Sequence, residues 1–181
     1  MMKIIKAEKT DIEQLSALLA ESFCHDPLYC HYIPYEEERQ GILLQIFRKY
    51  LSDFWEDLTV YTTPSRAAIL CACPHTAQGE ERVTLPVDVQ KVYDRISGGL
   101  VDEFYQEYLL LDLLAVAPQM RGQGLAKALV EEFRREVERR KTIGVVEIYE
   151  PANLEFYKKS GFHLAHVQPA GETLSAYLLE C

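Results

Sequence analysis

The feature that most narrows what this chain can become is one uninterrupted stretch, residues 108–141. In it an apolar strand passes through a proline and two close glycines straight into a long amphipathic helix. Tyr108-Leu109-Leu110-Leu111-Asp112-Leu113-Leu114-Ala115-Val116 is apolar apart from one acid. A half-buried strand would alternate apolar and polar side chains, so this run predicts a central strand covered on both faces. Pro118 ends it, because proline has no N–H to give to a ladder. The spacing then predicts a helix over 122–141: Leu125, Leu129, Phe133 and Val137 recur every four residues, with Ala126 and Val130 beside them. Arg139, Arg140 and Lys141 suit the negative end of its dipole, and Gly144 reads as its stop.

The flanking segments supply the remaining layers. Residues 2–8 alternate as a first strand. Thr10 reads as a helix N-cap, with Glu13 completing a capping box, ahead of Ile12, Leu15, Leu18 and Leu19 on a helix ending near Cys24. Asp26-Pro27 breaks that helix. A second helix spans about 36–55, with Ile42, Leu43, Ile46, Phe47, Tyr50, Leu51 and Phe54 on one broad face and Glu36-Glu37-Glu38 at its positive end. Residues 58–63 and 66–73 read as strands joined by Thr63-Pro64-Ser65. A polar segment, 74–85, and an amphipathic stretch, 86–106, broken at Gly98-Gly99, follow. After the central strand and helix come a strand at 145–149, a short helix at 153–160 and a strand pair at 162–168 and 173–179. This order implies an α/β (α+β mixed) fold: one domain over 1–181, with a mixed sheet of about six or seven strands and helices on both faces.

Charge and composition narrow the function. The formal net charge is −9, from 19 basic and 28 acidic residues, which speaks against nucleic-acid binding and favours a cationic ligand such as an amine. No run approaches the ~20 apolar residues of a membrane span, and charges interrupt the N-terminal residues at once. The expected location is therefore cytoplasmic, with no membrane partner. The five cysteines, at 24, 30, 71, 73 and 181, read as reduced thiols.

The chemistry concentrates in Gln119-Met120-Arg121-Gly122-Gln123-Gly124-Leu125-Ala126. The first turn of a helix offers backbone N–H groups with no intrahelical partner at the positive end of a dipole, which suits phosphate. Glycines at 122 and 124 remove side chains that would hold a diphosphate away, and Arg121 adds a fixed charge. A P-loop would need Gly-x4-Gly-Lys-Ser/Thr, which is absent. A dinucleotide fingerprint would need a third glycine where Lys127 stands.

The pattern Gln-x-x-Gly-x-Gly resembles instead the coenzyme A loop of the GNAT superfamily of N-acetyltransferases. The preceding Leu-Asp-Leu-Leu-Ala-Val-Ala-Pro is similar to that family's fourth strand. Asn153-Leu154-Glu155-Phe156-Tyr157, followed by Gly161-Phe162, resembles its second signature, with Glu147 on the strand between. The likeness is strongest over 109–163. It implies acetyl-CoA as co-substrate, no metal, and transfer of an acetyl group to a primary amine by direct attack on the thioester. In the family the fourth and fifth strands splay apart around pantetheine. Carried over, Leu114 and Val116 offer backbone groups to pantetheine, and Arg121, Gly122, Gln123, Gly124, Leu125 and Ala126 surround the pyrophosphate. Asn153 holds the pantetheine arm or orders its own loop. The oxyanion falls to the N–H of Leu114, the leaving thiolate's proton to Tyr157, and the general base to Asp112 or Glu147. The acceptor pocket falls to Phe23, Asp26, Tyr29, Tyr32 and Tyr35, whose tyrosines suit a cation.

Plainer readings stand beside these. Tyr157 could be a packed aromatic, Asp112 a buried acid paired with an arginine, Glu147 a solvated strand residue and Asn153 a helix N-cap. Cys24-His25 and Cys30-His31 match no zinc spacing, and Cys71 and Cys73 share one packed strand face. His163 and His166 face opposite sides of their strand if it is regular. Arg134, Arg135, Arg139 and Arg140 share a solvated helix face with Glu131, Glu132, Glu136 and Glu138. Three functions remain open: an enzyme acting on an amine, as monomer or homodimer and with a small-molecule acceptor ahead of a protein one; a non-catalytic acetyl-CoA sensor or partner-binding module; and an ATP-binding regulator, which lacks a magnesium motif.

Overall fold

The computed structural model describes residues 3–74, 85–96, 101–170 and 172–181. Most of the expected polar segment at 74–85 and the expected breaker Gly98-Gly99 lie outside them. Seven strands form one mixed sheet in the order β1-β2-β3-β4-β5-β7-β6. They are β1 (Ile5–Lys6), β2 (Thr59–Thr62), β3 (Ala68–Pro74), β4 (Tyr108–Val116), β5 (Ile143–Ile148), β6 (His163–Pro169) and β7 (Ser175–Glu180). The helices are α1 (Ile12–Phe23), α2 (Pro27–Tyr32), α3 (Glu36–Phe54), α4 (Val87–Ile96), α5 (Leu125–Arg140) and α6 (Leu154–Lys159). Only β4 and β5 run parallel; every other neighbouring pair is antiparallel.

Helices cover both faces, as the central apolar run requires. On one side Leu15, Leu19, Leu43, Ile46, Phe47 and Leu51 of α1 and α3 pack on Ile69, Cys71 and Leu113. On the other, Leu125, Leu129, Phe133 and Val137 of α5 pack on Leu70, Leu109, Leu111 and Val146. Phe133 is fully buried, and a truncation to alanine at such a position costs about 3–5 kcal/mol.

A bulge shapes β4. Cys71 pairs with Leu113 and Ala72 with Leu111, which leaves Asp112 as an extra residue. The bulge reverses the strand's alternation: Leu109 and Leu111 face α5, whereas Leu113 and Ala115 face α1 and α3. Bulges of this kind re-aim a side chain and deepen local twist. Here the re-aimed side chain is the strand's only acid.

Several local expectations need correction. The capping box is not Thr10 with Glu13. It joins Glu8 and Asp11, whose Oδ2 accepts from the Glu8 N–H at 3.0 Å, and it caps a 3-10 turn ahead of α1. Arg66 holds that carboxylate from the other side at 2.9 Å, and Glu13 pairs with Arg48. Asp26-Pro27 does more than break a helix, because Asp26 caps α2 by accepting from the Leu28 N–H at 2.9 Å. Helix α5 begins at Leu125 and ends on Lys141 in the left-handed region, φ 53°. Gly144 therefore terminates nothing. It lies in β5, where an added Cβ would stand 2.7 Å from Val137, 2.8 Å from Cys181 and 2.9 Å from Phe133. Glu136 is not solvated: it is buried and clamped by Arg139 and Arg140 at 2.9 and 2.6 Å, which holds its pKa at about 2. A register shift between Leu164 and His166 puts both His163 and His166 on the Glu180 side of β6, so they do not oppose each other.

Candidate active site

The β4–β5 ladder runs from Tyr108↔Ile143 to Leu111↔Val146 and stops there. Beyond it β4 stays with β3, Leu113–Val116 facing Cys71–Ala68, while β5 stays with β7 through Glu147↔Leu178 and Ile148↔Tyr177. The two strands thus part at the bulge. The direction of the freed backbone groups follows from alternation. Ala117 gives its N–H to Ala67 on the β3 side, at 2.8 Å. N–H groups two residues apart on a strand point the same way. Those of Ala115 and Leu113 therefore turn to β3, and those of Leu114 and Val116 turn away from it, into the gap. The Val116 carbonyl on that side accepts from Arg121 Nε at 3.3 Å.

The glycine loop closes one end of the gap. Gly122 and Gly124 have φ of 75° and 81°, a region L side chains enter only with strain, and Gly124 is the N-cap of α5. Arg121, Gly122, Gln123 and Gly124 are exposed, and a Cβ on Gly122 would meet nothing within 4 Å. No side chain caps α5, so its first-turn N–H groups stay available at the positive end of a 16-residue helix. Leu125 sends its side chain into the core and offers the loop only backbone; Ala126 is half-buried beside it. The loop and the splayed strand fit a diphosphate joined to an extended amide arm. The capping reading of Asn153 fails: its side chain makes no cap bond and is exposed, while Glu150 accepts from the Ala152 N–H at 3.1 Å instead.

Tyr157 is buried between Phe156 and Phe162, with ring centroids at 5.1 and 5.5 Å. Burial raises its pKa further above neutrality, so the hydroxyl keeps its proton. No hydrogen bond within the protein engages that hydroxyl among the described residues.

Carboxylates and tyrosines gather on the α1–α3 side of the gap. Asp112 is paired not with an arginine but with Tyr50, whose hydroxyl donates to Oδ2 at 2.5 Å. Burial raises the Asp112 pKa, and that hydrogen bond opposes the rise. Glu147 is no free strand residue either, since it accepts from the Tyr149 hydroxyl. Asp26 is raised to about 6 by burial and by the charge of Glu150, against the pull of backbone N–H groups of α2. The charges of Asp26 and Asp112 both bear on the Tyr29 hydroxyl, and Tyr32 and Asp26 on that of Tyr149. Asp26, Tyr29, Tyr32, Asp112 and Glu147 thus share one neighbourhood. Phe23 is its floor, with Tyr29 and Phe47 both at 5.6 Å. Tyr35 does not belong to it; 66% exposed, it sits at the start of α3.

Three participants were not singled out from sequence. Tyr50 lies on the apolar face of α3 and reads as core. Tyr149 and Glu150 follow Glu147 directly, and their nearness to the end of β5 was the one available signal. Buried Arg39 was missed as well: it donates to the carbonyls of Ile33, Cys24 and Pro34 at 2.7, 2.7 and 3.2 Å, tying the ends of α1 and α2 to α3. That tie sets where Asp26 and Tyr29 stand. Cys30 donates weakly to the same Cys24 carbonyl.

The match to known proteins agrees with this geometry. Residues 88–164 match the family described as the acetyltransferase (GNAT) domain. No curated protein sequence matches the chain. Among solved structures, the fold is similar to that of a Corynebacterium glutamicum protein described as histone acetyltransferase HPA2 and related acetyltransferase. Identity is 14%, coverage 99% of this chain and 96% of that one, and the TM-score 0.71. An N-acetyltransferase from Staphylococcus aureus Mu50 gives 16% identity, 99% and 100% coverage and a TM-score of 0.68. The PaiA N-acetyltransferase of Thermoplasma acidophilum, in complex with coenzyme A, gives 13% identity, 99% and 98% coverage and 0.64. The resemblance to the GNAT superfamily is borne out, in sequence over 88–164 and in fold over the whole chain. The match supports acetyl transfer as the general chemistry. Among the described residues no three His, Cys, Asp or Glu side chains are grouped to hold a metal, and no helix is long and apolar enough to cross a membrane.

Proposed function

We propose that the protein transfers the acetyl group of acetyl-CoA to a small primary amine by direct attack on the thioester. The observation that carries this reading is the parting of β4 and β5 at Leu111/Val146, with the Leu114 N–H turned into the gap beside the glycine loop. The α5 first turn, Gly122, Gly124, Gln123 and Arg121 take the diphosphate. Leu114, Val116 and Asn153 hold the pantetheine arm. Arg121 must release the Val116 carbonyl, a single 3.3 Å contact on an exposed side chain.

The chain's own groups then divide the work. The Leu114 N–H donates to the oxygen that becomes negative as the amine adds; a donor of this kind is worth about 3–4 kcal/mol of barrier. Tyr157, protonated and with no hydrogen bond to its hydroxyl among the described residues, gives its proton to the departing thiolate. Asp112, aimed by the bulge and steadied by Tyr50, takes the proton of the incoming amine, with Glu147 as the alternative across the gap.

Calorimetric titration with acetyl-CoA, run beside a thiol-release assay over an amine panel, tests the proposal. Binding with turnover of one amine class supports it. Binding with no turnover by any amine moves the protein to the non-catalytic sensor reading. Failure of folded protein to bind acetyl-CoA refutes the assignment of residues 119–126.

A further inference from the structure

The loop 24–34, which contains α2, is tied off at its neck by one side chain. Cys24, the C-cap of α1, and Ile33, the C-cap of α2, both turn their carbonyls to the Arg39 guanidinium. It donates to each at 2.7 Å and to the Pro34 carbonyl at 3.2 Å. Inside the loop, the Cys30 N–H donates to the Asp26 carbonyl at 2.9 Å and that of Ile33 to the Tyr29 carbonyl at 2.8 Å. Of the α2 residues only Tyr29 is buried, so a single side chain seats this short helix on the core. Arg39 is itself buried, and it forms no ion pair among the described residues. A charge taken out of water needs partners, and here carbonyls from both ends of one loop supply them. The planar fork of a guanidinium fixes the directions of those carbonyls, which an ammonium or an apolar side chain does not do.

Helix α3 carries that clip on the same face as two further contacts. Arg39, Leu43, Phe47 and Tyr50 follow one another at four, four and three residues, the spacing of one helical face. Phe47 seats Tyr29 of α2 at a ring distance of 5.8 Å and Phe23 of α1 at 5.6 Å. One turn further on, the Tyr50 hydroxyl donates to Asp112 at 2.5 Å. By helical rise, the clip lies about 12 Å along the axis from Phe47 and about 16 Å from Tyr50. The loop neck and the carboxylate at the β4 bulge are therefore fixed to the same rod, and the ring of Tyr29 is seated between the two levels. The glycine loop and the Leu114 N–H take no part in these contacts.

We propose that Arg39 is a positioning residue for the acceptor: through the loop 24–34 it fixes where Asp26 and Tyr29 stand relative to Asp112, and so how an incoming amine is aimed at the base. The inference rests on the N-acetyltransferase reading above. Arg39 touches neither the amine nor acetyl-CoA; its effect passes through the carbonyls of Cys24, Ile33 and Pro34. With the clip opened, Tyr29 keeps its seat on Phe47, but the two ends of the loop are no longer held together. The amine then meets a displaced wall, while the groups that take the diphosphate and the oxyanion stay where they are.

Two variants separate positioning from stability alone. Arg39→Lys keeps the buried charge and loses the fork, whereas Arg39→Met loses the charge and keeps an apolar stem. Both are compared with wild type well below their own Tm, so a fall in Tm does not enter the readout. Hydrogen exchange followed by mass spectrometry should show the amides of 26–34 exchanging at least about tenfold faster in the variants, as loss of a charge-assisted contact implies, with those of α5 unchanged. Thiol release is measured over the amine panel, with 1-aminobutane, benzylamine and glycinamide among its members, and followed on the amine that wild type turns over fastest. The KM for that amine should rise at least about tenfold in the variants, while calorimetry finds acetyl-CoA affinity within about twofold of wild type. An unchanged amine KM in both variants, or exchange that rises evenly over the whole chain, overturns the proposal and leaves the acetyltransferase reading standing. Wild-type protein that binds acetyl-CoA and turns over no amine of the panel removes that reading, and the role of Arg39 goes with it.

Discussion

Replacing Gly122 by alanine separates a structural glycine from a ligand-facing one. Gly122 has φ of 75°, so an alanine there carries the left-handed penalty of about 1–2 kcal/mol. Nothing lies within 4 Å of the added Cβ, so no clash adds to that penalty. For a chain of 181 residues each kcal/mol moves Tm by about 2–4 °C. The expected fall in Tm is therefore about 2–8 °C. Acetyl-CoA affinity should fall further than strain alone explains, by about tenfold or more, because the methyl enters the space a diphosphate needs at the α5 N–H groups. Gly144→Ala is the counterpart: three side chains within 2.9 Å of its Cβ make it destabilising by about 1–3 kcal/mol, with little effect on the cofactor affinity of the protein that remains folded. Calorimetric Kd values beside melting curves give both quantities. If Gly122→Ala binds acetyl-CoA within twofold of wild type, the loop is not where the diphosphate sits.

Other side chains yield equally direct expectations. Tyr157→Phe should lower kcat by about 10²-fold or more while leaving acetyl-CoA affinity and Tm near wild type, because no hydrogen bond among the described residues is lost; stopped-time thiol release measures it. Tyr50→Phe removes the donor that opposes the raised pKa of Asp112. If Asp112 is the base, the acid limb of the kcat/KM profile moves to higher pH, and an unmoved limb excludes it. Glu136→Gln should cost on the order of 2 kcal/mol at pH 7, allowing for solvent screening of exposed Arg139. The folded pKa is depressed, so wild-type Glu136 contributes fully above the ordinary carboxylate range. That contribution fades as pH falls toward about 2, where urea titrations of the two proteins should converge.

Residues 108–141 were legible because their signals are local. Strand β4 came out at its expected bounds, and α5 differed only at its ends, since a covered strand and an amphipathic helix are each stated by side-chain periodicity within a few residues. The glycine loop was readable for the same reason, as a left-handed turn needs glycine whatever surrounds it. End signals fared worse. Thr10 and Gly144 both look like caps, yet the first lies within a 3-10 turn capped by its neighbours and the second is glycine because Phe133, Val137 and Cys181 leave no room.

The sequence by itself determined the layers, the mixed sheet and the glycine turn that opens α5. Tertiary structure decided which groups share the gap. Asp112 faces Tyr50, 62 residues away, only because a bulge turns it and α3 lies over that face. Asp26 stands where the charge of Glu150 reaches it because Arg39 ties the ends of α1 and α2 to α3. Periodicity tells a side chain which face to take, but the partner it finds there comes from another element. That meeting is set by packing across the whole sheet, which no local pattern records.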